Sequence, residues 1–327
     1  MIDLHAHVVL PGVMGRAGIH GPELYERGDG MPCFRAGAYE LVGVRYQGSP
    51  FMDPELRLEA MDAAGIDLQV LSPNPITYFH HIEAEVADEF CRWHNDEMAE
   101  LVGRYPSRLA GFAQVPVQDP RRAAAELERA VTRLALVGAY VGTEVPGGLH
   151  SEPMDELWAA AVALDVPVFL HPGPHGIDGP PGDDRLGEWG LDLYLGFAIE
   201  ETLAVSQLVF GGVLDRHPDL DVCVSHGGGA TSWLLERMRT AAEGRPGLPE
   251  ALRAPGALDA RLRRLWWDAH VGGPAALGFL AETFGVDHLV PGTNFAGWDT
   301  AQRESPGAAW SERLDANALR LLRRVGR

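Results

Sequence analysis

Apolar and polar positions along the 327-residue chain follow two spacings, and each spacing predicts a different kind of element. Short apolar runs predict buried strands, and the stretches between them have the three- and four-residue apolar spacing of amphipathic helices. Eight runs predict strands: 1–7, 68–72, 109–115, 138–141, 166–171, 220–226, 265–268 and 289–292. Helices are predicted between these runs and after the last: 53–65, 83–105, 119–134, 153–164, 195–217, a helix after Gly229, 274–284 and 311–325.

The alternation of strands and helices indicates a parallel sheet, because each crossover helix returns the chain to the same end of the sheet. Eight such units predict a (β/α)8 TIM barrel, and we assign residues 1–327 to a single domain of this kind. A doubly wound open sheet is the alternative, but no Gly-x-Gly-x-x-Gly sequence follows the first strand. A Gly- and Pro-rich segment up to about Pro54 lacks sustained periodicity, so we expect a long loop after strand one.

Histidines stand at the ends of three predicted strands. The first strand ends in His5 and His7, the fifth in His171 and the sixth in His226. His5 and His7 are two residues apart, so they project from the same face of a strand. Since the carboxyl ends of barrel strands meet at one end, we expect the four imidazoles to lie together. Imidazoles suit zinc, and also iron, nickel or cobalt, so the pattern predicts a divalent metal site.

Other interpretations of these histidines stay open. An isolated His-x-His pair is equally compatible with a solvent-exposed strand end. His226 either binds the metal or acts as a general base beside it, because histidine titrates near neutral pH. Its His-Gly-Gly-Gly context also occurs in esterase oxyanion holes, but the sequence lacks the Gly-x-Ser-x-Gly nucleophile motif of that fold. Several histidines outside the strand ends are interpreted as structural or surface residues: His80, His81, His94, His175 and His270.

Composition narrows the chemistry further. All 27 cationic Lys and Arg positions are arginine, which excludes Schiff-base catalysis, lysine-anchored pyridoxal phosphate and a carbamylated lysine between two metals. We therefore expect any metal centre to be mononuclear. The formal net charge of -19 disfavours nucleic acid and membrane surfaces as partners. Three scattered cysteines, no apolar run long enough to span a membrane and no signal sequence predict a cytoplasmic protein.

The combined motifs resemble those of the amidohydrolase superfamily. The likeness is carried by His5-x-His7, His171-Pro172 and Ser225-His226-Gly227-Gly228-Gly229. Further matching stretches are Asp53-Pro54-Glu55-Leu56-Arg57, Met61-Asp62, Gln69-Val70-Leu71-Ser72 and Phe210-Gly211-Gly212-Val213. More narrowly, the chain resembles the aminocarboxymuconate-semialdehyde decarboxylase branch, which also contains resorcylate-type decarboxylases. This resemblance implies a (β/α)8 barrel, one divalent metal that is usually zinc, and non-oxidative decarboxylation of a small aromatic or unsaturated acid.

The resemblance also implies roles for individual residues. It implies the following metal ligands: His5, His7 and His171. His226 matches the catalytic histidine of the family. Arg45 matches an arginine that grips a substrate carboxylate. Arg237 matches an arginine supplied across a dimer interface, which would make a homodimer necessary for activity.

The last predicted strand departs from the family pattern. The family has Gly-Thr-Asp there, with an Asp that binds the metal and assists proton transfer, whereas this chain has Gly292-Thr293-Asn294. An amide coordinates through its oxygen but accepts no proton near neutral pH. We retain Asn294 as a predicted ligand and catalytic residue, with Asp299 as an alternative carboxylate. Altered natural chemistry, an engineered substitution and lost activity are the competing explanations.

A second departure concerns the substrate pocket. The aromatic residue that family decarboxylases place before the long helix corresponds to Leu193, with Trp189 nearby but offset. The leading hypothesis is a metal-dependent carbon–carbon lyase acting on a small carboxylate. The alternatives are a hydrolase or hydratase of an amide, lactone or alkene, and a binding protein that has lost catalysis. CO2 release without incorporation of water separates the first two hypotheses.

Overall fold

The computed structural model describes residues 1–174, 182–295, 297 and 308–323. Its strands are β1 Ile2–Val8, β2 Glu23–Glu26, β3 Pro32–Ala36, β4 Tyr39–Val42, β5 Leu68–Pro73, β6 Leu109–Gly111, β7 Ala113–Gln114, β8 Ala139–Gly142, β9 Val168–His171, β10 Val222–Val224, β11 Trp266–Asp268 and β12 Leu289–Val290. Its helices are α1 Pro54–Ala64, α2 Ala84–Arg104, α3 Pro120–Arg133, α4 Asp155–Leu164, α5 Phe197–Phe210, α6 Val213–Arg216, α7 Thr231–Gly244, α8 Ala257–Leu262, α9 Pro274–Phe284 and α10 Ala308–Leu321.

The predicted β/α order is present as two parallel sheets. One has the order β1-β5-β6, and the other has the order β12-β11-β10-β9-β8-β7. Every strand pairing described within these two sheets is parallel, as the alternation with helices predicts. Within the described ranges, the strands do not form one continuous closed sheet, so the closed barrel is not reproduced as a single hydrogen-bonded ring.

Backbone hydrogen bonds nevertheless join the two sheets at both junctions. Strands β6 and β7 are halves of one predicted strand interrupted at Phe112, whose N–H donates to the Leu71 carbonyl at 2.9 Å. At the other junction the Leu4 N–H donates to the Pro291 carbonyl at 3.0 Å. The Phe295 N–H donates to the His5 carbonyl at 3.1 Å, and the His7 N–H donates to the Phe295 carbonyl at 2.9 Å. Residues 291–295 therefore lie alongside the histidine-bearing strand.

Local sequence signals explain several helix boundaries. The Asp53 carboxylate accepts hydrogen bonds from the Glu55 and Leu56 N–H groups, and Pro54 occupies the first turn of α1. Such a cap satisfies backbone donors that have no partner inside the helix. Gly65 ends α1 in the left-handed conformation at φ 67°, which costs glycine little because it has no Cβ.

The interior contains apolar side chains from successive strands. Leu4, Val70, Phe112, Tyr140 and Phe169 belong to one buried cluster. A larger cluster fills the space between strands and helices and includes Leu71, Val141 and Trp158, all fully buried. Burial of this apolar area is the main favourable term for folding, and it leaves the strand ends free to carry polar residues.

Three features differ from the sequence analysis. The segment after β1 contains an antiparallel sheet of order β2-β3-β4, so it is more ordered than the long loop that its weak periodicity suggests. The single helix expected over 195–217 begins with a π-helical turn, Asp192–Gly196, and is divided into α5 and α6 at Gly212, which has φ 74°. Helix α8 was not predicted, because its six residues are too short for a clear period.

One helical stretch, Asp192–Phe210, is long and apolar enough to cross a membrane by length and composition. Its 19 residues have a mean hydropathy of 1.3, and 33% of the apolar window is buried. Glu200 and Glu201 lie in its middle and are buried in the protein. Because buried glutamates contacting a polar cluster are costly in lipid, we interpret the stretch as a surface helix with an exposed apolar face.

Candidate metal centre and active site

The structure brings together three of the four histidines predicted at strand ends as a compact buried group. One ring nitrogen from each of His5, His7 and His171 lies within 4.8 Å of the others, and all three residues are buried. His5 and His7 share a face of β1, and their ring centroids are 5.2 Å apart. The His171 centroid, at the end of β9, is 4.8 Å from each of them. These residues form a group that could hold one metal ion.

The Nδ1 atom of each of these histidines contacts a second polar group. His5 Nδ1 is 2.7 Å from Asp268 Oδ2, and His171 Nδ1 is 2.6 Å from the Pro172 carbonyl. Acceptors at these positions require a proton on Nδ1, which leaves the Nε2 lone pair for a metal. His171 Nε2 is buried and has no hydrogen-bond partner among the described residues. A buried ring nitrogen without a hydrogen-bond partner is expected at a position where it binds a metal ion.

His7 has its tautomer set by a hydroxyl. The Ser72 hydroxyl donates to the Ala6 carbonyl at 2.9 Å, so its oxygen is left to accept from His7 Nδ1 at 3.0 Å. His7 therefore carries its proton on Nδ1 and offers Nε2, as His5 and His171 do. The three rings thus present the same nitrogen to the centre of the group.

Burial also keeps the His7 and His171 rings neutral. Desolvation lowers the pKa of His7 to about 3, and nearby His226 acts in the same direction. Desolvation also lowers the pKa of His171 well below its ordinary value, assisted by its histidine neighbours. Only neutral imidazole binds a metal, so the site needs no proton to be displaced from these rings near pH 7.

His226 follows β10 in a sharp left-handed turn. Its φ of 46° and the positive φ angles of Gly227, Gly228 and Gly229 bend the chain immediately after the strand. A Cβ at Gly229 would lie 2.2 Å from the Ala198 carbonyl oxygen of α5, so only glycine permits this packing. The turn places the His226 ring centroid 4.9 Å from that of His5 and 5.1 Å from that of His171.

A buried carboxylate controls the orientation of His226. His226 Nδ1 is 2.5 Å from Glu201 Oε1, and the Ser225 hydroxyl donates to the same oxygen. Glu201 is 1% exposed, whereas His226 is 18% exposed. Burial raises the pKa of Glu201, and the adjacent His226 opposes that rise. Because Nδ1 is engaged by Glu201, proton exchange with a ligand falls to Nε2.

The exposed part of His226 faces a cavity of about 390 Å³. His270 and Glu201 also line it, and apolar walls come from the start of α5 and from α9. Several apolar or aromatic side chains contribute: Leu193, Tyr194, Phe197, Val271, Phe279 and Leu280. A cavity with one polar end and apolar walls suits a small carboxylic acid with a flat hydrophobic body. Leu193, which corresponds in sequence to the aromatic pocket residue of the family, thus lies in the cavity wall. Trp189, by contrast, is 82% exposed.

His270, interpreted from the sequence as a structural or surface histidine, lies close to the histidine group. It lies two residues beyond β11, is buried, and its ring centroid is 5.5 Å from those of both His5 and His226. The predicted strand ends at Asp268, so the sequence pattern gives no reason to place His270 at the strand end. His175, in the same group of histidines, lies outside the described residues.

Asn294 lies next to the group. It is 3% exposed, has a left-handed φ of 50°, and hydrogen bonds to the His7 side chain. Asparagine tolerates this conformation better than most residues with a Cβ. At Gly292 a Cβ would lie 2.1 Å from Asp268 Oδ1, so glycine is required where this segment passes the site. Ligation by Asn294 stays a prediction, and Asp299 lies outside the described residues.

The two predicted arginines lie outside the buried histidine group. Arg45 is exposed on the segment after β4, and its neighbour Tyr46 is buried against Phe34 and Phe51. Arg237 is exposed on α7. Their assigned roles, a carboxylate contact and a contribution to a second subunit, therefore stay predictions.

Sequence reasoning missed three polar residues that orient the histidines, namely Ser72, Glu201 and Asp268. Each carried a weak signal. Asp268 and Ser72 end predicted strands, and Glu201 interrupts an otherwise apolar stretch of helix. A carboxylate on the buried side of an apolar helix is rarely left without a partner, which makes it a candidate for a functional contact.

Comparisons with known proteins identify the family of this chain. The sequence profile of the family described as Amidohydrolase matches residues 2–322. A 2-amino-3-carboxymuconate-6-semialdehyde decarboxylase of Dictyostelium discoideum is 28% identical, over 74% of this chain and 66% of that protein. A gamma-resorcylate decarboxylase of Polaromonas sp. is 33% identical, over 56% of this chain and 58% of that protein. The matches thus span less than two thirds of the length of these curated relatives.

A solved structure is also similar. The crystal structure of a 2,6-dihydroxybenzoate decarboxylase complexed with 2,6-dihydroxybenzoate matches with a TM-score of 0.71 and 25% identity. The match covers 84% of this chain and 89% of the other.

Proposed function

This chain belongs to the amidohydrolase family, and from that premise we propose that it is a metal-dependent, non-oxidative decarboxylase of a small aromatic or unsaturated carboxylic acid. The observation that carries the proposal is the buried group of His5, His7 and His171 beside the His226–Glu201 pair and its cavity. The relatives named as decarboxylases support the same reaction class. We further propose that the two parallel sheets close as one (β/α)8 barrel in a single domain, supported by the backbone bonds at both junctions.

The metal would be held by His5, His7 and His171, with the Asn294 carboxamide as the fourth protein ligand. We propose a single zinc ion, or another divalent transition metal, because three neutral imidazoles are the donor set that these ions prefer. When bound, it supplies positive charge that polarises the oxygens of the substrate carboxylate. The orphaned His171 Nε2 supports this assignment.

Side chains that line the cavity would position the substrate and transfer the proton. Phe197, Phe279 and Leu280 would pack against the body of the substrate and exclude water from it. The bond between the ring carbon and the carboxylate carbon breaks, CO2 leaves, and the electron pair stays on the ring carbon. His226 would then deliver a proton from Nε2 to that carbon, held in position by Glu201 at Nδ1. Arg45 would orient a substrate carboxylate, as the resemblance to the family implies.

Metal analysis and a substrate screen test this proposal. We expect about one equivalent of zinc, or of another divalent transition metal, per chain. We also expect CO2 release from an aromatic or dienoic acid, and its loss in His226→Gln. Protein that stays metal-free when zinc is supplied would contradict the enzyme assignment. Incorporation of ¹⁸O from labelled water into a product that retains its carboxylate would favour the hydrolase or hydratase. Turnover that appears only in Asn294→Asp would favour a binding protein that has lost catalysis.

We also propose that two copies associate through α5. Leu195, Ile199 and Leu203 are four residues apart, so they form one stripe, and each is 41–48% exposed. Trp233 on α7 is 79% exposed and lies next to Phe279, with ring centroids 6.3 Å apart. Exposed apolar side chains grouped in this way are typical of an interface. Arg237, one turn beyond Trp233, would then approach the second copy.

Light scattering during size-exclusion chromatography tests the homodimer. We expect Leu203→Glu to yield a monomer with reduced turnover, whereas Leu319→Glu, on an exposed residue of α10, leaves the dimer intact. A monomeric wild-type protein with full activity would contradict the assignment of Arg237. We place the protein in the cytoplasm, in agreement with its three free, buried cysteines.

A further inference from the structure

His270 and His226 form the polar end of the cavity. Both line it, and their ring centroids are 5.5 Å apart at an angle of 63°. His270 is 1% exposed, so its ring is shielded from bulk solvent although it borders the cavity. A ligand that fills the cavity against His226 therefore also meets the region of His270.

Hydrogen bonds to two neighbouring segments fix the backbone around His270. The His270 N–H donates to Asp268 Oδ1 at 2.9 Å, and the Ala269 N–H donates to the Val290 carbonyl at 2.8 Å. The other Asp268 oxygen accepts from His5 Nδ1 at 2.7 Å and from the His226 N–H at 3.0 Å. One buried carboxylate thus sets the relative positions of three imidazole-bearing residues, which is the preorganisation expected of groups that contact a substrate.

The charged and polar residues of the cavity lining indicate which ligand group His270 would bind. Among the described residues that line the cavity there is no arginine, and the whole sequence has no lysine. Besides the histidines, the polar side chains of the lining are Tyr194, Glu201 and Ser232. Glu201 is already engaged by His226, and its charge repels anions. An oxygen substituent of a ligand would therefore find its nitrogen donor in an imidazole.

We propose that His270 is a second substrate-contacting imidazole and determines specificity for acids that carry an oxygen substituent next to the departing carboxylate. The inference rests on the proposed function, since it divides the work of that site between two rings. His226 delivers the proton to the carbon that loses CO2. His270 donates a hydrogen bond to the oxygen of the substituent on the adjacent carbon, which is a hydroxyl or a second carboxylate. The apolar body of the ligand packs against three apolar wall residues, Val271, Phe279 and Leu280.

Ligand binding tests the inference without relying on turnover. Dissociation constants of 2,6-dihydroxybenzoate and of benzoate are measured by calorimetry on zinc-supplemented protein. We expect the wild type to prefer the dihydroxy acid, and His270→Leu to lose about 2- to 10-fold of that preference, the usual effect of one hydrogen bond between neutral partners. Benzoate binding should change little, which shows that the variant is folded. His270→Asn retains a donor and should recover part of the preference.

Phe279→Leu serves as the matched control from the apolar wall, and it should weaken both acids by similar factors. An unchanged preference for the dihydroxy acid in His270→Leu would overturn the role of His270 while leaving the proposed function intact. Equal affinity of the wild type for the two acids would overturn it as well. Failure of both acids to bind the wild type, together with absent CO2 release in the substrate screen, would overturn the proposed function and this inference together.

Discussion

Beneath the histidine group lies a closed polar network, whereas above it lies an open cavity lined by two further histidines. The network begins at Arg57, which donates to Gln69 Oε1 and to the His7 carbonyl, both at 2.6 Å. Gln69 donates to Asp3 Oδ2 at 2.8 Å, and the Thr293 hydroxyl donates to the same oxygen at 2.7 Å. On the cavity side, His226 is held by Glu201 on one edge of its ring.

The two sides differ in what burial does to their charges. Desolvation raises the pKa of Asp3 to about 6 and lowers that of Arg57 to about 9, so both groups are held where their charges are unfavourable. Hydrogen bonds offset that cost only while every partner is present. The lower side therefore supplies rigidity to β1 and to the segment of Thr293, whereas the upper side keeps a ring edge available for chemistry.

Replacing Arg57 by Met should have the largest effect on stability, because it removes the centre of the buried polar network. The Gln69 oxygen and the His7 carbonyl would lose a buried donor, and the Asp3 carboxyl would lose a nearby positive charge. We therefore expect a loss on the order of 3 kcal/mol or more in the free energy of unfolding. Denaturant unfolding of the metal-free protein measures this. The matched control is Arg92→Met, because Arg92 on α2 is 47% exposed and such ion pairs contribute about 1 kcal/mol or less. Equal losses in both variants would show that the network is not structurally special.

A smaller effect is expected from Asp268→Asn, which disturbs the link between the two sides. Asp268 orients His5 directly, and replacing such a carboxylate typically weakens metal affinity by about 10- to 100-fold. Competition with a chromophoric chelator measures the affinity. Asp221→Asn is the control, since Asp221 accepts from the Trp266 indole N–H at the opposite end of β11. A metal affinity unchanged in Asp268→Asn would mean that His5 is oriented by packing alone.

The smallest expected effect concerns His94, a buried histidine that belongs neither to the polar network nor to the cavity. Desolvation lowers the pKa of His94 on α2 to about 4 from 6.5. Between these pH values the unfolded chain binds more protons than the folded one, so stability is lost as pH falls. We expect His94 to contribute a loss of roughly 1 kcal/mol per pH unit between about pH 6 and 5. Unfolding curves of the wild type and His94→Leu at pH 7 and 5 measure it; parallel losses would contradict this contribution.

Much of the site could be expected from the sequence because its signals are local. The two-residue spacing of His5 and His7 places them on one face of any strand, whatever surrounds it. Strand ends of a parallel β/α fold meet at one edge, so His171 and His226 were expected nearby. Asp53 and Pro54 likewise specified where α1 begins through contacts inside their own turn.

The partners of those histidines were not predictable in the same way. Asp268 contacts His5 across 263 residues of sequence, and Glu201 contacts His226 across 25. No periodicity records which carboxylate will face which ring, because that depends on how helices and strands pack. The position of His270 likewise depends on two residues of chain beyond β11, whose path is set by the bond from Ala269 to Val290.

The sequence by itself thus determined the β/α order and the face on which the predicted metal ligands stand, since both follow from short-range geometry of the backbone. Tertiary structure alone decided the tautomers of the three buried rings, the pairing of Glu201 with His226, and the cavity that His270 shares. Those features arise from desolvation and hydrogen bonding between distant segments, and burial strengthens such interactions only once the fold has removed water from around them.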